Sequence, residues 1–170
     1  VRVHVPGDKS LTQRALILSA LAEGESRISG LLFGGDAEST ANALRALGAG
    51  IPPIPSDGSE ITVQGVGLGS LRSPGSQLDL GNSGTGARLL LGVLSGSAVE
   101  TTMTGDESLR SRPMRRVTEP LSAMGARFDF LAEDGLLPIR LRGKRPLQEI
   151  DWSTPVASAQ VKSSILLAGL

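Results

Sequence analysis

Val5-Pro6-Gly7-Asp8-Lys9-Ser10-Leu11-Thr12-Gln13-Arg14 is the stretch on which the fold turns. Val1 to Val5 alternates apolar and polar residues, the pattern of a half-buried strand. Pro6-Gly7 then predicts a turn. From Ser10 to Leu21 apolar residues fall at 11, 15, 16, 18, 20 and 21, which predicts a mostly buried helix ended by Gly24. A strand, turn and helix in this order leave unpaired N–H groups and a positive dipole end at the helix start, and an anion sits there readily. Taken alone, the stretch also reads as a plain capped helix, with Asp8 as the cap and Lys9 and Arg14 as solvated charges.

The stretch recurs. Arg14, Arg88 and Lys162 stand at intervals of 74 (88 − 14 and 162 − 88). The segments Asp8 to Arg14, Asn82 to Arg88 and Val156 to Lys162 are each small or polar at the start, reach a cation one turn later, and run into apolar residues. Ala43-Leu44-Arg45-Ala46-Leu47-Gly48-Ala49 likewise resembles Pro120-Leu121-Ser122-Ala123-Met124-Gly125-Ala126. Self-similarity at a fixed period points to one supersecondary unit reused, here too long for a common solenoid repeat. The competing explanation is chance alignment of helices rich in Ala, Leu and Gly.

Outward from this repeat, the chain reads as two βαβαββ units, about 1–75 and 76–150, and the start of a third near Ser153. In the first, Glu25–Ile28 predicts a strand, Asp36 caps a helix through Leu47, Pro52 to Gly58 is a turn-rich connection, and Glu60–Gln64 is a strand. Val66 to Ser76 reads as a surface loop. In the second, strands are expected at Gln77–Leu80 and Val99–Met103 and helices at Thr85–Leu94 and Met114–Met124, with Pro113 suited to a first helical position. The strand pair Arg127–Leu131 and Leu137–Arg142 turns at Glu133-Asp134-Gly135. Leu147–Ile150 is a further candidate strand. This order implies an α/β (α+β) fold with helices packed on mixed sheets.

At 170 residues, one domain with a core of ordinary size is the default. Formal net charge is zero, which argues against general binding to nucleic acid or an acidic membrane. The absence of Cys excludes disulfides, thiolate catalysis and Cys-ligated zinc, and the single His, His4, excludes a His-rich metal site. Phe33, Phe128, Phe130 and Trp152 are the only aromatics, so stacking on nucleobases lacks its usual side chains. No apolar run reaches the ~18 residues of a membrane span. The start lacks a basic segment followed by an apolar stretch and cleavage site, so a cytoplasmic protein is expected. The chain stops inside an apolar helix that has just begun, Ser163 to Leu170, from which a longer parent protein is expected.

The residues that suit chemistry are cations near predicted helix starts and loops: Lys9, Arg14, Arg88, Arg110, Arg112 and Lys162. If the repeated helices point their starts at one region, these form a basic pocket in a neutral protein, selective for small ligands bearing phosphate or carboxylate. Solvated side chains are the alternative for each cation singly. Gly81-Asn82-Ser83-Gly84-Thr85-Gly86 fits neither a dinucleotide fingerprint nor a Walker loop, yet its glycines admit a ligand close to the backbone. Gly105 to Arg112 reads as a polar loop, and within Gly105 to Met114 either Asp106 or Glu107 is placed to pair with Arg110 in a purely structural knot. Ser153 to Gln160 offers hydroxyls and an amide for a hydroxylated ligand, or for ordinary capping. His4 reads as a strand side chain.

With these stretches in view, the whole chain resembles the amino-terminal part of the EPSP synthase (3-phosphoshikimate 1-carboxyvinyltransferase) family. Pro6 to Ser10 with Arg14, Leu80 to Thr85 with Arg88, Gly105-Asp106 through Arg112-Pro113-Met114, and Ser158-Ala159-Gln160 occur in the family's order and approximate spacing. The resemblance implies one domain, incomplete, of the two-domain enolpyruvyl transferase fold, an inside-out α/β barrel. It implies that Lys9, Ser10, Arg14, Ser158, Ala159 and Gln160 bind shikimate 3-phosphate. It also implies that Lys9, Asn82, Gly84, Arg112 and Gln160 hold phosphoenolpyruvate or the inhibitor glyphosate. Lys9 is the one candidate for a catalytic part. No metal or organic cofactor is implied.

The sister family that transfers enolpyruvate to UDP-N-acetylglucosamine usually has Lys-Asn at the first motif and a reactive Cys near Arg112. Lys9-Ser10 and the lack of Cys favour the shikimate enzyme. The implied reaction joins the 5-hydroxyl of shikimate 3-phosphate to C2 of phosphoenolpyruvate, protonates C3, and expels phosphate. The family's proton-transfer carboxylates lie in a second domain absent from these residues. The expectation is therefore a fragment inactive without its carboxy-terminal part, and the alternative is a non-catalytic anion-binding module.

Overall fold

The computed structural model describes residues 5–170. The strand expected over Val1–Val5 falls almost wholly on residues 1–4, outside the described residues, as does His4. The first helix, α1 (Lys9–Leu21), opens at Asp8, whose carboxylate accepts from the Leu11 N–H at 2.8 Å. It buries Leu16, Ile17, Ala20 and Leu21. Gly24 does not end it. The chain already turns extended at Ala22, and Gly24 lies inside strand β1 (Glu23–Ile28) at φ +80. Helix α2 (Gly35–Ala46) follows and strand β2 (Ile61–Val66) pairs antiparallel with β1. Asp36 is not the cap of α2: Gly34 holds that position without a side-chain bond. Between α2 and β2, pairing is limited to a bridge of Gly50 with Gln64. Pro52, Pro53 and Pro55 follow at once, and prolines supply no N–H to extend a ladder.

Strand β3 (Leu78–Asp79) leads into helix α3 (Gly84–Ser95), in which every residue but Thr85 is buried. An α-helix apolar on all sides belongs at the centre of a helical layer. Here α3 contacts α1, α2 and the later helices α5 (Arg115–Ala123) and α6 (Ala159–Ala168). Strand β4 (Glu100–Thr104) pairs parallel with β3. The hairpin β5 (Arg127–Phe130) and β6 (Ile139–Arg142) completes a mixed sheet of order β3-β4-β6-β5. The hairpin tip is pinned by the Met114 N–H, which donates to Gly135 O at 2.8 Å. The architecture is thus α/β, with helices against mixed and antiparallel sheets around one apolar core.

Three further expectations are corrected. The polar stretch 105–112 is not all loop, because Asp106 caps a one-turn helix, α4 (Glu107–Arg110), by accepting from the Leu109 N–H at 2.7 Å. Pro113 is not a first helical residue, since α5 begins only at Arg115 after Met114. Leu147–Ile150 forms no strand; the Gln148 N–H donates to Met124 O and no ladder follows. Among the described residues, no helix is long and apolar enough to cross a membrane.

Candidate functional site

Asp8, Ser83 and Ser158 are spaced 75 residues apart (83 − 8 and 158 − 83), and each caps a helix in the same way. Asp8 accepts from the Leu11 N–H, Ser83 from the Gly86 N–H at 3.1 Å, and Ser158 from the Val161 N–H at 3.3 Å. The structural repeat of helix starts is therefore 75, not the 74 suggested by the cations. One residue turns a side chain by about 100° around a helix. Arg14, Arg88 and Lys162 consequently do not occupy equivalent places. Arg14 is half-buried, Arg88 is buried, and Lys162 is exposed. The equivalent residues, fifth in each helix, are Gln13, Arg88 and Ser163.

These fifth residues tie the three helices into a ring. Gln13 Nε2 donates to Ser83 Oγ at the cap of α3 at 2.5 Å. Arg88 Nη1 donates to Gln160 Oε1 in the first turn of α6 at 3.0 Å. Ser163 Oγ accepts from Arg14 Nη2 of α1 at 3.0 Å. The starts of α1, α3 and α6 thus lie together, and their dipole ends and cations share one region.

Lys9, at the head of α1, is exposed and pairs with Asp36 at 2.9 Å. Its ammonium carries three donors, so the pair leaves two for a ligand. The two hydrogens of Gln13 Nε2 are shared with Asp36 O at 3.2 Å and Thr40 Oγ1 at 3.1 Å, which fixes α2 against the same end. Ser10 Oγ accepts from Arg14 Nη1, so the two residues present one hydroxyl and one guanidinium as a unit. Ser158 keeps its hydroxyl proton free of the capping bond. Gln160 Nε2 donates to Thr85 Oγ1 at 2.9 Å. Ala159 is exposed as the first residue of α6.

On the other flank, Arg112 Nη2 donates to Asn82 Oδ1 at 2.6 Å and to Ser108 Oγ at 3.1 Å. Asn82 Nδ2 in turn donates to Asp106 Oδ2 at 2.8 Å. Asp106 therefore serves α4 and Asn82. Neither it nor Glu107 pairs with Arg110 among the described residues. The Asn82 bond, helped by the Leu109 N–H and by Arg112 and Arg110, holds the Asp106 carboxyl below its ordinary pKa. Gly84 lies between two guanidiniums, for a Cβ there would meet Arg112 Nη1 at 2.9 Å and Arg88 Nη1 at 3.2 Å. Burial lowers the Arg88 pKa, and the Arg116 and Arg112 charges add to the effect.

Lys9, Ser10, Arg14, Asn82, Gly84, Arg112, Ser158, Ala159 and Gln160 are in this way brought to one network of helix starts. Among the described residues Lys162 and Arg110 make no side-chain bond into it, and Ser153 and Thr154 lie exposed in the irregular lead to α6. Sequence reasoning missed Gln13, Asp36, Thr85 and Ser163. The equal spacing of three cap-type residues was the available signal. Chemically the region offers donors and positive charge, suited to a polyhydroxylated anion. No group of three or more His, Cys, Asp or Glu able to hold a metal occurs among the described residues.

Known proteins resemble this chain over nearly its whole length. The family model for EPSP synthase (3-phosphoshikimate 1-carboxyvinyltransferase) matches residues 1–170. The 3-phosphoshikimate 1-carboxyvinyltransferase of Alkalilimnicola ehrlichii is 57% identical over 169 residues, 99% of this chain and 37% of the relative. That of Gloeobacter violaceus is also 57% identical over 169 residues, covering 38% of its length. The solved EPSP synthase of Acinetobacter baumannii superposes with a TM-score of 0.92 at 45% identity, over 99% of this chain and 37% of that one. The chain spans under two-fifths of the length of these relatives. By its matching family model, its identities and its fold, the chain belongs to the EPSP synthase family.

Proposed function

We propose that residues 1–170 supply the shikimate 3-phosphate half-site, and part of the phosphoenolpyruvate site, of a 3-phosphoshikimate 1-carboxyvinyltransferase. The observation that carries this is the ring joining the starts of α1, α3 and α6, with Lys9, Arg14, Arg88 and Arg112 around it. In this reading Lys9, Ser10 and Arg14 take the phosphate and hydroxyl edge of shikimate 3-phosphate. Ser158, the exposed Ala159 start and Gln160 close on it from α6. Asn82 orients Arg112, and Arg112, Gly84, Lys9 and Gln160 receive phosphoenolpyruvate.

The reaction adds the 5-hydroxyl oxygen to C2 of phosphoenolpyruvate while C3 gains a proton. The hydroxyl proton is lost, the C2–O bond to phosphate then breaks as a C3 proton leaves, and the enol ether and inorganic phosphate result. Both substrates are polyanions, so fixed positive groups must offset their repulsion before the reacting atoms meet. Alignment on rigid helix starts supplies much of the remaining rate. The proton-transfer groups are assigned to the portion of the relatives beyond this alignment, and residues 1–170 alone are not expected to turn over.

Titration calorimetry of the chain with shikimate 3-phosphate tests the reading. Binding that weakens at least tenfold in Lys9→Ala supports it, since a charged hydrogen bond is worth about 1.5–3 kcal/mol. Equal binding of inorganic phosphate and shikimate 3-phosphate supports a non-catalytic anion module instead. A chimera with the remaining carboxy-terminal residues of a curated relative is expected to release phosphate from phosphoenolpyruvate. Release by 1–170 alone at a comparable rate overturns the half-site proposal.

A further inference from the structure

Arg88 is 7% exposed and no carboxylate pairs with it among the described residues. A buried guanidinium normally demands a counter-charge, because desolvation of an unpaired ion is costly. Here it finds only neutral acceptors: Gln160 Oε1 at 3.0 Å, Pro113 O at 3.2 Å and Gly84 O at 3.3 Å. Its Nε–H has no partner among the described residues. Arg112 stands on the other side of Gly84, so the surroundings add positive charge.

We propose that Arg88 is a positioning residue that sets the orientation of the Gln160 amide and leaves its own charge to be completed by the bound anion. A guanidinium has donors only, so it accepts Gln160 in one orientation, with Oε1 inward. Nε2 is thereby turned outward. One of its hydrogens goes to Thr85 Oγ1 at 2.9 Å, and the other remains for a ligand oxygen. Without Arg88 the amide is free to rotate and present its oxygen, which repels an anion. Gln160 is then a donor because of Arg88, and the ligand completes a charge that the protein alone leaves open. This deepens the half-site reading and rests on it.

The test has two arms. In the ligand-free chain, the Gln160 side-chain amide protons are followed by NMR. They are expected to give one fixed environment in the parent and in Arg88→Lys, and an averaged one in Arg88→Met. Calorimetry with shikimate 3-phosphate then compares Arg88→Met, Gln160→Ala and the double variant. Each single change is expected to weaken binding by about 10- to 100-fold, the range for a hydrogen bond to a charged group. The double variant is expected to be no weaker than the worse single one. Multiplying effects, or an unchanged Gln160 signal in Arg88→Met, overturn the inference while Lys9→Ala still judges the half-site reading. Loss of all shikimate 3-phosphate binding by the parent overturns that reading, and this inference with it. Should Arg88→Met not fold, Gln160→Glu decides: its carboxylate is expected to raise the melting temperature and reduce ligand affinity. A lower melting temperature with unchanged affinity overturns the proposal.

Discussion

Gly92→Ala sets two rules of helix stability against each other. In a helix interior, Ala is favoured over Gly by about 1 kcal/mol, so propensity alone predicts a more stable protein. The structure predicts the reverse. Gly92 is where α3 meets α6, and a Cβ there would lie 2.2 Å from Ser164 O and 2.7 Å from Ser164 Oγ. Ordinary contact begins near 3.4 Å, so α6 must retreat by about 1.2 Å. The obstruction is main chain and has no rotamer to escape into. Overpacking of this kind costs about 3 kcal/mol, leaving about 2 kcal/mol of net destabilisation. For a domain of this size that lowers the melting temperature by roughly 4–8 °C. The retreat also reaches the site. One turn towards the helix starts, Arg88 and Gln160 are held at 3.0 Å, and a rigid shift of this size takes them out of hydrogen-bond range. Thermal unfolding by circular dichroism and calorimetry with shikimate 3-phosphate should fall together. Adding Ser164→Ala should not rescue either, because the clashing oxygen belongs to the backbone. A Gly92→Ala protein that melts at or above the parent temperature refutes the packing argument.

The remaining predictions concern α3 and the Arg112 flank. Ser83→Ala removes the cap of α3 and the acceptor of Gln13, and urea unfolding should show a loss of about 1–2 kcal/mol; a loss below about 0.5 kcal/mol counts against the ring. Gly84→Ala meets the tips of Arg112 and Arg88 closely and Leu109 Cδ1 at an ordinary 3.7 Å, so stability should stay within about 0.5 kcal/mol while phosphoenolpyruvate binding in the chimera weakens. Unchanged phosphoenolpyruvate affinity would show that Arg112 does not read that ligand. The Asp106 pKa is depressed in the folded chain, so its contribution is present above the ordinary 3.8 and is lost as pH falls through the lower folded value. The Asn82 side-chain amide signal should therefore hold from neutral pH down to about 4 and shift only below it. A shift near pH 6 would contradict the Asp106–Asn82 bond.

Most helices were legible because their signals are local. Asp8 caps α1, Ser83 precedes α3, and the apolar runs that follow need burial wherever they lie. What failed depended on tertiary partners. Asp36 has the composition of a cap, yet its carboxylate is drawn to Lys9, 27 residues earlier, and glycine takes the cap. Leu147–Ile150 has the apolar content of a strand but makes one backbone bond, from the Gln148 N–H to Met124 O at the end of α5, and a strand needs a ladder. The repeat was visible, but the wrong residues set its register. Charged side chains are conspicuous in a sequence, whereas equivalence in a helix is set by the start. Lys9, Arg112 and Gln160 were legible through family motifs. Gln13 and Ser163 belong to no such motif and were found only as hydrogen-bond partners.

The ring also explains why the three helix starts differ in chemistry while sharing one kind of cap. The fifth position carries an amide in α1, a guanidinium in α3 and a hydroxyl in α6. Helices pack with axes about 8–10 Å apart, and two like charges at such a spacing repel by about 2 kcal/mol at an effective dielectric of 20. Three guanidiniums would impose three such terms, besides three desolvation costs, on helix starts whose dipole ends are already positive. The neutral Gln13 and Ser163 make cross-helix bonds without adding charge at their own positions, Ser163 by accepting from the Arg14 guanidinium. A single buried cation therefore remains at the fifth positions, in the central and best-buried helix, where screening by water is weakest and its field on an arriving anion is strongest.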